Sequence, residues 1–369
     1  MTTTRVAMIG LGDIAEKAYL PVLGATPGLD LLLCTRNRAT LARLGDEYRI
    51  RERFTSVEQV IGAGVEAAFV HASTQAHPEI VTALLRAGVH VYVDKPLAYD
   101  LADAEKLVGL AGERGLSLMV GFNRRYAPGY AGLRNLPRDL IVMQKHRAGQ
   151  PDDPRRVVFD DFIHVVDTLR FLAPGDISDT RIEVRTRGGL LEHVVLHLSG
   201  RTDPGSGRTD PGTGHADPGV GHAEQRDGRA ETGAGGVESG ADGFEWVGGR
   251  GERGAGVAGR GERGGSDVGG FTAIGMMSRV SGSSEETCEI IGGGGKRRIV
   301  NLAEVVDYDG AETVTRRGDW IPVARQRGIE QVCHEFLASL RDGRVISAAD
   351  ALLTHATCEQ IVTAAGSPS

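Results

Sequence analysis

The chain has 369 residues, 40% of them hydrophobic, with a formal net charge of -7 and a pI near 5.9. That length suits two domains, or one with a long insertion, and the acidic balance argues against a general nucleic-acid binder. No apolar stretch is long enough to span a membrane, and the N-terminus passes directly into a strand-like run without a targeting segment.

A soluble cytoplasmic protein is therefore expected. Cys34, Cys288, Cys333 and Cys358 are scattered, with no CxxC pair. Neither a zinc site nor a disulfide framework is expected from them, and no metal is expected elsewhere.

Arg5 to Ile9 reads as a buried strand, followed by Gly10-Leu11-Gly12-Asp13-Ile14-Ala15 and a helical pattern through Ala18, Tyr19, Val22 and Leu23. This is the dinucleotide fingerprint with Ala15 in the third small position. Gly10 permits the tight turn, Gly12 lets a pyrophosphate approach the backbone, and Ala15 lets helix and strand pack closely. The next strand, Leu31 to Cys34, ends at Thr35, about 20 residues past the motif, where an NAD-binding chain places an acid. Arg36, Asn37 and Arg38 follow instead. Two guanidinium groups and no carboxylate favour NADP(H) over NAD(H). The competing reading is that Arg36 and Arg38 only begin a solvated helix.

The βα alternation continues. Thr55 to Glu58 resembles a capping box. A strand at Glu66 to His71 leads through Ser73 to a helix with Pro78 in its first turn and Gly88 after its end. His71 and His77 lie near that strand's carboxyl end, and either can simply close a turn. Val91-Tyr92-Val93 reads as a buried strand that stops at Asp94-Lys95-Pro96. Proline cannot continue a central strand, so Lys95 is fixed where open α/β sheets place ligands. A helix from an Asp100 cap to Gly115 and a strand at Leu116 to Val120 complete the sixth βα step. Gly121-Phe122-Asn123-Arg124-Arg125-Tyr126 follows.

These motifs, in this order, resemble the glucose–fructose oxidoreductase / inositol dehydrogenase / MocA (Gfo/Idh/MocA) family of nicotinamide-dependent oxidoreductases. The family usually has Glu-Lys-Pro where this chain has Asp94-Lys95-Pro96. The resemblance implies an N-terminal Rossmann doubly wound parallel sheet plus a C-terminal α+β domain with an open, mostly antiparallel sheet. That sheet often makes the oligomer contact, so a homo-oligomer is expected. The resemblance also implies sugar or cyclitol substrates with a carbinol. The expected boundaries are 1–121 for the NADP(H)-binding domain and 122–369 for the second. Ser73, His77, Asp94 and Lys95 join Gly10, Gly12, Asp13, Ile14, Ala15, Thr35, Arg36 and Arg38 as expected cofactor contacts.

In the second half, Phe159 to Leu172 reads as a helix with Asp160, His164 and Asp167 on one polar stripe. A carboxylate one turn away can orient an imidazole and raise its pKa. A solvated acidic face is the competing reading. The stripe is similar to the family's Asp-x-x-x-His signature, which assigns His164 and Asp160 to the active site and leaves Asp167 structural. Only 36 residues lie between Asn123 and Asp160, and Pro151-Asp-Asp-Pro-Arg-Arg156 replaces the glycine-rich run common before this helix. The substrate-facing wall is expected to be rebuilt.

Strands are expected at Ile182 to Arg185, Leu191 to His197, Phe271 to Met277, Glu286 to Ile291, Arg297 to Asn301 and Val305 to Tyr308. Helices are expected at Ile329 to Leu340 and Ala348 to Ala365. Between about 200 and 270 glycine makes up roughly a third of the residues, in short polar repeats, which reads as a disordered insertion. Phe244 to Val247 is its one apolar island, and His215 and His222 are too sparse for metal.

The expected activity is hydride transfer between NADP(H) and a carbinol carbon of a small polar substrate. Lys95 would stabilise the reacting oxygen and His164 would exchange the proton, oriented by Asp160, with Asn123 and Tyr126 in the substrate pocket. A nicotinamide-binding sensor and a redox-assisted lyase or hydrolase remain as alternatives.

Overall fold

The computed structural model describes residues 3–203 and 269–366. The apolar island at Phe244, with His215, His222 and nearly all of the expected insertion, lies outside the described residues.

Six parallel strands form the first sheet: β1 (Thr4–Ile9), β2 (Leu29–Cys34), β3 (Arg53–Phe54), β4 (Ala67–Val70), β5 (His90–Val93) and β6 (Leu118–Val120). Their order is β3-β2-β1-β4-β5-β6, the doubly wound arrangement that reverses direction between β1 and β4. Val6 to Ile9 and Ala67 to Val70 are buried at every position. Continuous apolar runs are required because helices cover both faces of a parallel sheet. The helix caps follow local chemistry. Asp100 accepts from the Ala102 and Asp103 N–H groups, and Gly115 closes that helix at φ +63°. The box expected at Thr55 sits one residue later. Ser56 is the cap, bonded to the Gln59 N–H, while Gln59 Oε1 accepts from the Thr55 N–H.

The second sheet has eight strands: β7 (Leu140–His146), β8 (Ile177–Arg187), β9 (Leu190–Arg201), β10 (Gly270–Ser278), β11 (Glu285–Gly292), β12 (Gly295–Val300), β13 (Glu304–Asp309) and β14 (Ala311–Arg316). Their order is β14-β13-β12-β11-β7-β10-β9-β8, and every pair is antiparallel except β7 with β10. The mostly antiparallel sheet matches expectation, although the sequence reading had no strand for β7 or β14. One face is packed and the other open. On β7 the buried positions are Ile141, Met143 and Lys145, in strict alternation. The helix Ile163–Leu172 lies on the packed face. Gly275 of β10 permits this, because a Cβ there would come 2.7 Å from Val165 and 2.8 Å from Leu169.

One core runs from the β4 and β5 side of the first sheet through the helix Ile163–Leu172 to the packed face of the second. The opposite side of the first sheet is covered by the helix Ile329–Arg341, through Val332, Cys333, Phe336 and Leu337. The chain thus returns to its first sheet after building its second, and the packing crosses the 121/122 boundary.

Candidate functional site

Gly10 follows β1 at φ +89°, and a Cβ there would lie 2.4 Å from the Ala72 nitrogen, so only glycine lets the ends of β1 and β4 approach. At Gly12 a Cβ would meet nothing within 4 Å, and helical residues begin at 13. Free N–H groups at a helix start attract anions. Ala15 is buried, whereas Asp13 and Ile14 are exposed, with Asp13 ion-paired to Lys17. Beyond β2, the Thr35 N–H donates to the Phe54 carbonyl at 3.1 Å. Asn37 caps the helix Arg38–Glu47. Arg36 and Arg38 flank it, both exposed and without an ion pair among the described residues. A dinucleotide fits these residues: small side chains at the close approach, an open helix start, and two free guanidinium groups.

Lys95 stands in a fixed turn after β5, with a cis peptide to Pro96. Asp94 Oδ1 accepts from the Lys95 N–H at 2.9 Å. His77 spans two carbonyl oxygens, Pro96 at 2.9 Å and Ala72 at 3.0 Å. His355, from the far end of the chain, accepts the Leu97 N–H at Nε2, 3.0 Å, so its proton is on Nδ1, which donates to Ala351 at 2.7 Å. Burial pushes His355 down to about 4. The His77 ring, expected at the cofactor, is buried, with its one N–H bonded to the Pro96 or the Ala72 carbonyl oxygen. Ser73 is exposed at the start of the preceding 3-10 turn. His71 is buried 4.1 Å from the Tyr19 ring and 3.7 Å from Asp94, with both nitrogens otherwise unpartnered.

The Lys95 ammonium crosses to the other sheet's helix and donates to the Asp160 carbonyl oxygen at 2.5 Å. Burial pulls its pKa down, with Asp94 and Asp160 opposing. The helix is not uniform. Residues Pro154–Val157 are α, Val158–Phe162 form a π turn, and Ile163–Leu172 are α again. A π turn adds a residue, so positions four apart no longer stack as in an α-helix. Asp160 and His164 accordingly do not pair. The Asp160 carboxylate accepts from the Tyr99 hydroxyl at 2.7 Å, and His164 Nδ1 is buried without a partner. The expected upward shift of His164 is reversed. Burial first, and then Arg124, Lys145, Lys95 and Arg147, hold its pKa well below the ordinary histidine value. Asp167 is clamped by Arg125 at 2.5 Å, as a structural role requires.

Asn123 Nδ2 donates to the Arg327 carbonyl at 2.7 Å, and Tyr126 packs with the helix Ile329–Arg341, so both also hold the returning chain.

Around His164 lies a charged wall that the sequence reading missed. Lys145 and Glu286 are cross-strand partners on β7 and β11, in the buried phase of each strand. Glu286 takes Arg124 in a two-point bond at 2.7 and 2.6 Å, and the Tyr130 hydroxyl at 3.1 Å. Asp161 takes Lys145 at 2.6 Å, Arg147 at 2.7 and 2.9 Å, and Arg279 at 2.9 Å. Burial and then Arg124 push Lys145 down to about 7, while Asp161 is held far below the carboxylate range, Arg147 and Lys145 outweighing its burial. The available signal was a charged residue where strand alternation calls for an apolar one, at Lys145 and at Glu286.

Comparisons with known proteins agree with this architecture. A family model, GFO_IDH_MocA, described as "Oxidoreductase family, NAD-binding Rossmann fold", matches residues 4–122. YceM of Salmonella typhimurium, an oxidoreductase by name, is 44% identical over 181 residues, 48% of this chain and 58% of that one. The myo-inositol dehydrogenase Hyg17 of Streptomyces leeuwenhoekii is 35% identical over 184 residues, 47% of this chain and 56% of that one. The chain thus spans less than two thirds of these relatives' length. The solved dehydrogenase MviM of Clostridium difficile superposes with a TM-score of 0.73 at 26% identity, covering 98% of this chain and 99% of that one.

Proposed function

Because the chain belongs to the Gfo/Idh/MocA oxidoreductase family, we propose that it transfers a hydride between NADP(H) and a carbinol carbon of a sugar, cyclitol or related polyol. The observation that carries the reading is the 2.5 Å bond from Lys95 to the Asp160 backbone. It joins the carboxyl edge of the first sheet, where ligands of doubly wound folds sit, to the helix that bears His164.

In this reading residues 1–121 form the cofactor domain. Gly10, Gly12 and the helix start at 13 hold the pyrophosphate, and Arg36 and Arg38 the 2′-phosphate. The cofactor, when bound, supplies or takes the hydride. Lys95 donates to the reacting oxygen and opposes the charge that develops there. His164, kept neutral by its burial and its cationic neighbours, accepts the carbinol proton. Asp160 and Tyr99 form a pair whose remaining lone pairs hold a neighbouring substrate hydroxyl. This replaces the imidazole-orienting role that the α-helical spacing had implied. The open face of the second sheet is assigned to contact with a second copy, which light scattering of the purified chain tests.

The test of function is a fluorescence titration with NADPH and with NADH, then a polyol panel with NADP⁺. Tight NADPH and weak NADH binding, with turnover lowered ~10²–10⁴-fold by His164→Ala, is the expected result. Unchanged turnover in that variant rules out the proton role.

A further inference from the structure

We propose that the substrate is an anionic polyol, its carboxylate held by Arg147, Arg156 and Arg279 beside Asp160. This deepens the oxidoreductase reading and rests on it.

The cleft next to Asp160 has a volume of about 310 Å³. That is at the small end of the usual range for ligand pockets, ~300–1,000 Å³. Its lining includes Arg147, Arg156 and Arg279 together with Asp152, Asp160 and Asp161. Asp161 is fully committed, whereas Asp160 and Asp152 each keep lone pairs. Asp161 is shared by Lys145, Arg147 and Arg279, Asp160 takes the Tyr99 hydroxyl, and Asp152 Oδ1 takes the Asp153 N–H at 2.8 Å. Arg147 uses Nε and Nη2 on Asp161. Arg279 uses Nε on the Gln150 carbonyl and Nη1 on Asp161. Arg147 Nη1 and Arg279 Nη2 have no protein partner among the described residues. Arg156 meets Asp152 only at 3.8 Å. The lining carries three arginines and three aspartates, and the spare donors lie on the arginines. One more carboxylate would take up those donors, for which paired guanidinium groups are suited.

The short segment before the helix places this wall. Asp152 bridges to Leu191, whose N–H donates to the Asp152 carbonyl at 2.9 Å, and Asp153 caps the helix Pro154–Val157. Arg156 is thereby held one helical turn before Asp160. A glycine-rich wall would offer no such cation. The cationic surroundings of His164 agree with a site that receives an anion.

The experiment compares D-gluconate and D-glucuronate with D-glucose and myo-inositol as probes. Turnover with NADP⁺ and NADPH binding by fluorescence are followed for the wild-type chain, Arg156→Met and Arg279→Met. Arg156 is exposed, so Arg156→Met preserves the fold even if Arg279→Met does not. Acidic probes should show at least a tenfold higher kcat/KM than the neutral ones. Their KM should rise with ionic strength, and Arg156→Met should raise it about tenfold. Equal efficiency for acidic and neutral probes, with NADPH still bound, overturns the anion site and leaves the dehydrogenase reading standing. Failure to bind either NADPH or NADH overturns both, and a chain that binds NADH alone is assayed with NAD⁺ in the same way. If NADPH binds but no probe turns over, calorimetric titration of the NADPH complex decides. Acidic probes that bind where neutral ones do not support the site, and no difference overturns it.

Discussion

The glycine loop after β1 and the charged wall on β7 and β11 border the same candidate site but are built from different material. The loop works through backbone: a positive φ, a missing Cβ and the N–H groups of a helix start. The wall works through side chains drawn from distant segments, with Arg124, Lys145, Asp161, Arg279 and Glu286 bonded into one buried ionic network. A backbone site depends on sterics over a few consecutive residues. A side-chain network depends on the register of strands 140 residues apart in sequence, and on the low dielectric that makes each unpaired charge costly.

The sharpest way to break this comparison is to remove one wall carboxylate. Glu286→Ala leaves Arg124 buried without its two-point partner and should cost about 3–5 kcal/mol, read as a shift in the denaturant midpoint. A loss below about 1 kcal/mol would mean that water reaches Arg124. Lys145→Met, by contrast, exchanges a buried cation for an apolar chain. Asp161 keeps two arginines, so stability should change little or rise.

At the loop, Gly10→Ala forces a Cβ to 2.4 Å from the Ala72 backbone. It should cost a few kcal/mol and weaken NADPH binding by more than tenfold, because neither strand end can move independently. Normal NADPH affinity in a folded Gly10→Ala chain refutes the close-approach account.

Acid sensitivity tests what lies between the two regions. His355 is held neutral as the acceptor of the Leu97 N–H, with its pKa lowered to about 4. An unfolded histidine binds its proton near 6.5. The folded state therefore binds fewer protons below that value. Stability from this group is complete above about 6.5 and is lost as pH falls toward about 4, on the order of 3 kcal/mol. Thermal midpoints across that range should fall more steeply for wild type than for His355→Gln, which accepts the same N–H without titrating. The proposed base behaves in the same direction. Because His164 is held well below its ordinary value, the acid limb of carbinol oxidation should lie below pH 6.5. A limb at or above 6.5 contradicts a buried, neutral His164.

The smallest effect expected on cofactor binding is at the ribose. Arg36→Ala should weaken NADPH about tenfold and leave NADH nearly unchanged, since a single exposed guanidinium on a phosphate contributes about 1–2 kcal/mol.

The first sheet, its glycine loop, the Asp100 cap and the turn at Lys95 were legible in the sequence because each rests on local constraints. These are continuous apolar runs, a positive φ, a side-chain oxygen beside free N–H groups, and a proline that stops a strand. The pairing of Asp160 with His164 was misread because spacing was counted on an α-helix, while the chain inserts a π turn at Val158–Phe162. Nothing local says that the His77 ring lies between two carbonyl oxygens. The partners of Asn123 and Tyr126, Arg327 and the helix Ile329–Arg341, come 200 residues later. Local sterics and periodicity are written along the chain and fixed the candidate cofactor edge. The protonation of His164 and Lys145, the sharing of Asp161 and the spare donors of Arg147 and Arg279 depend on burial and on charges from distant strands, which exist only once the two sheets pack.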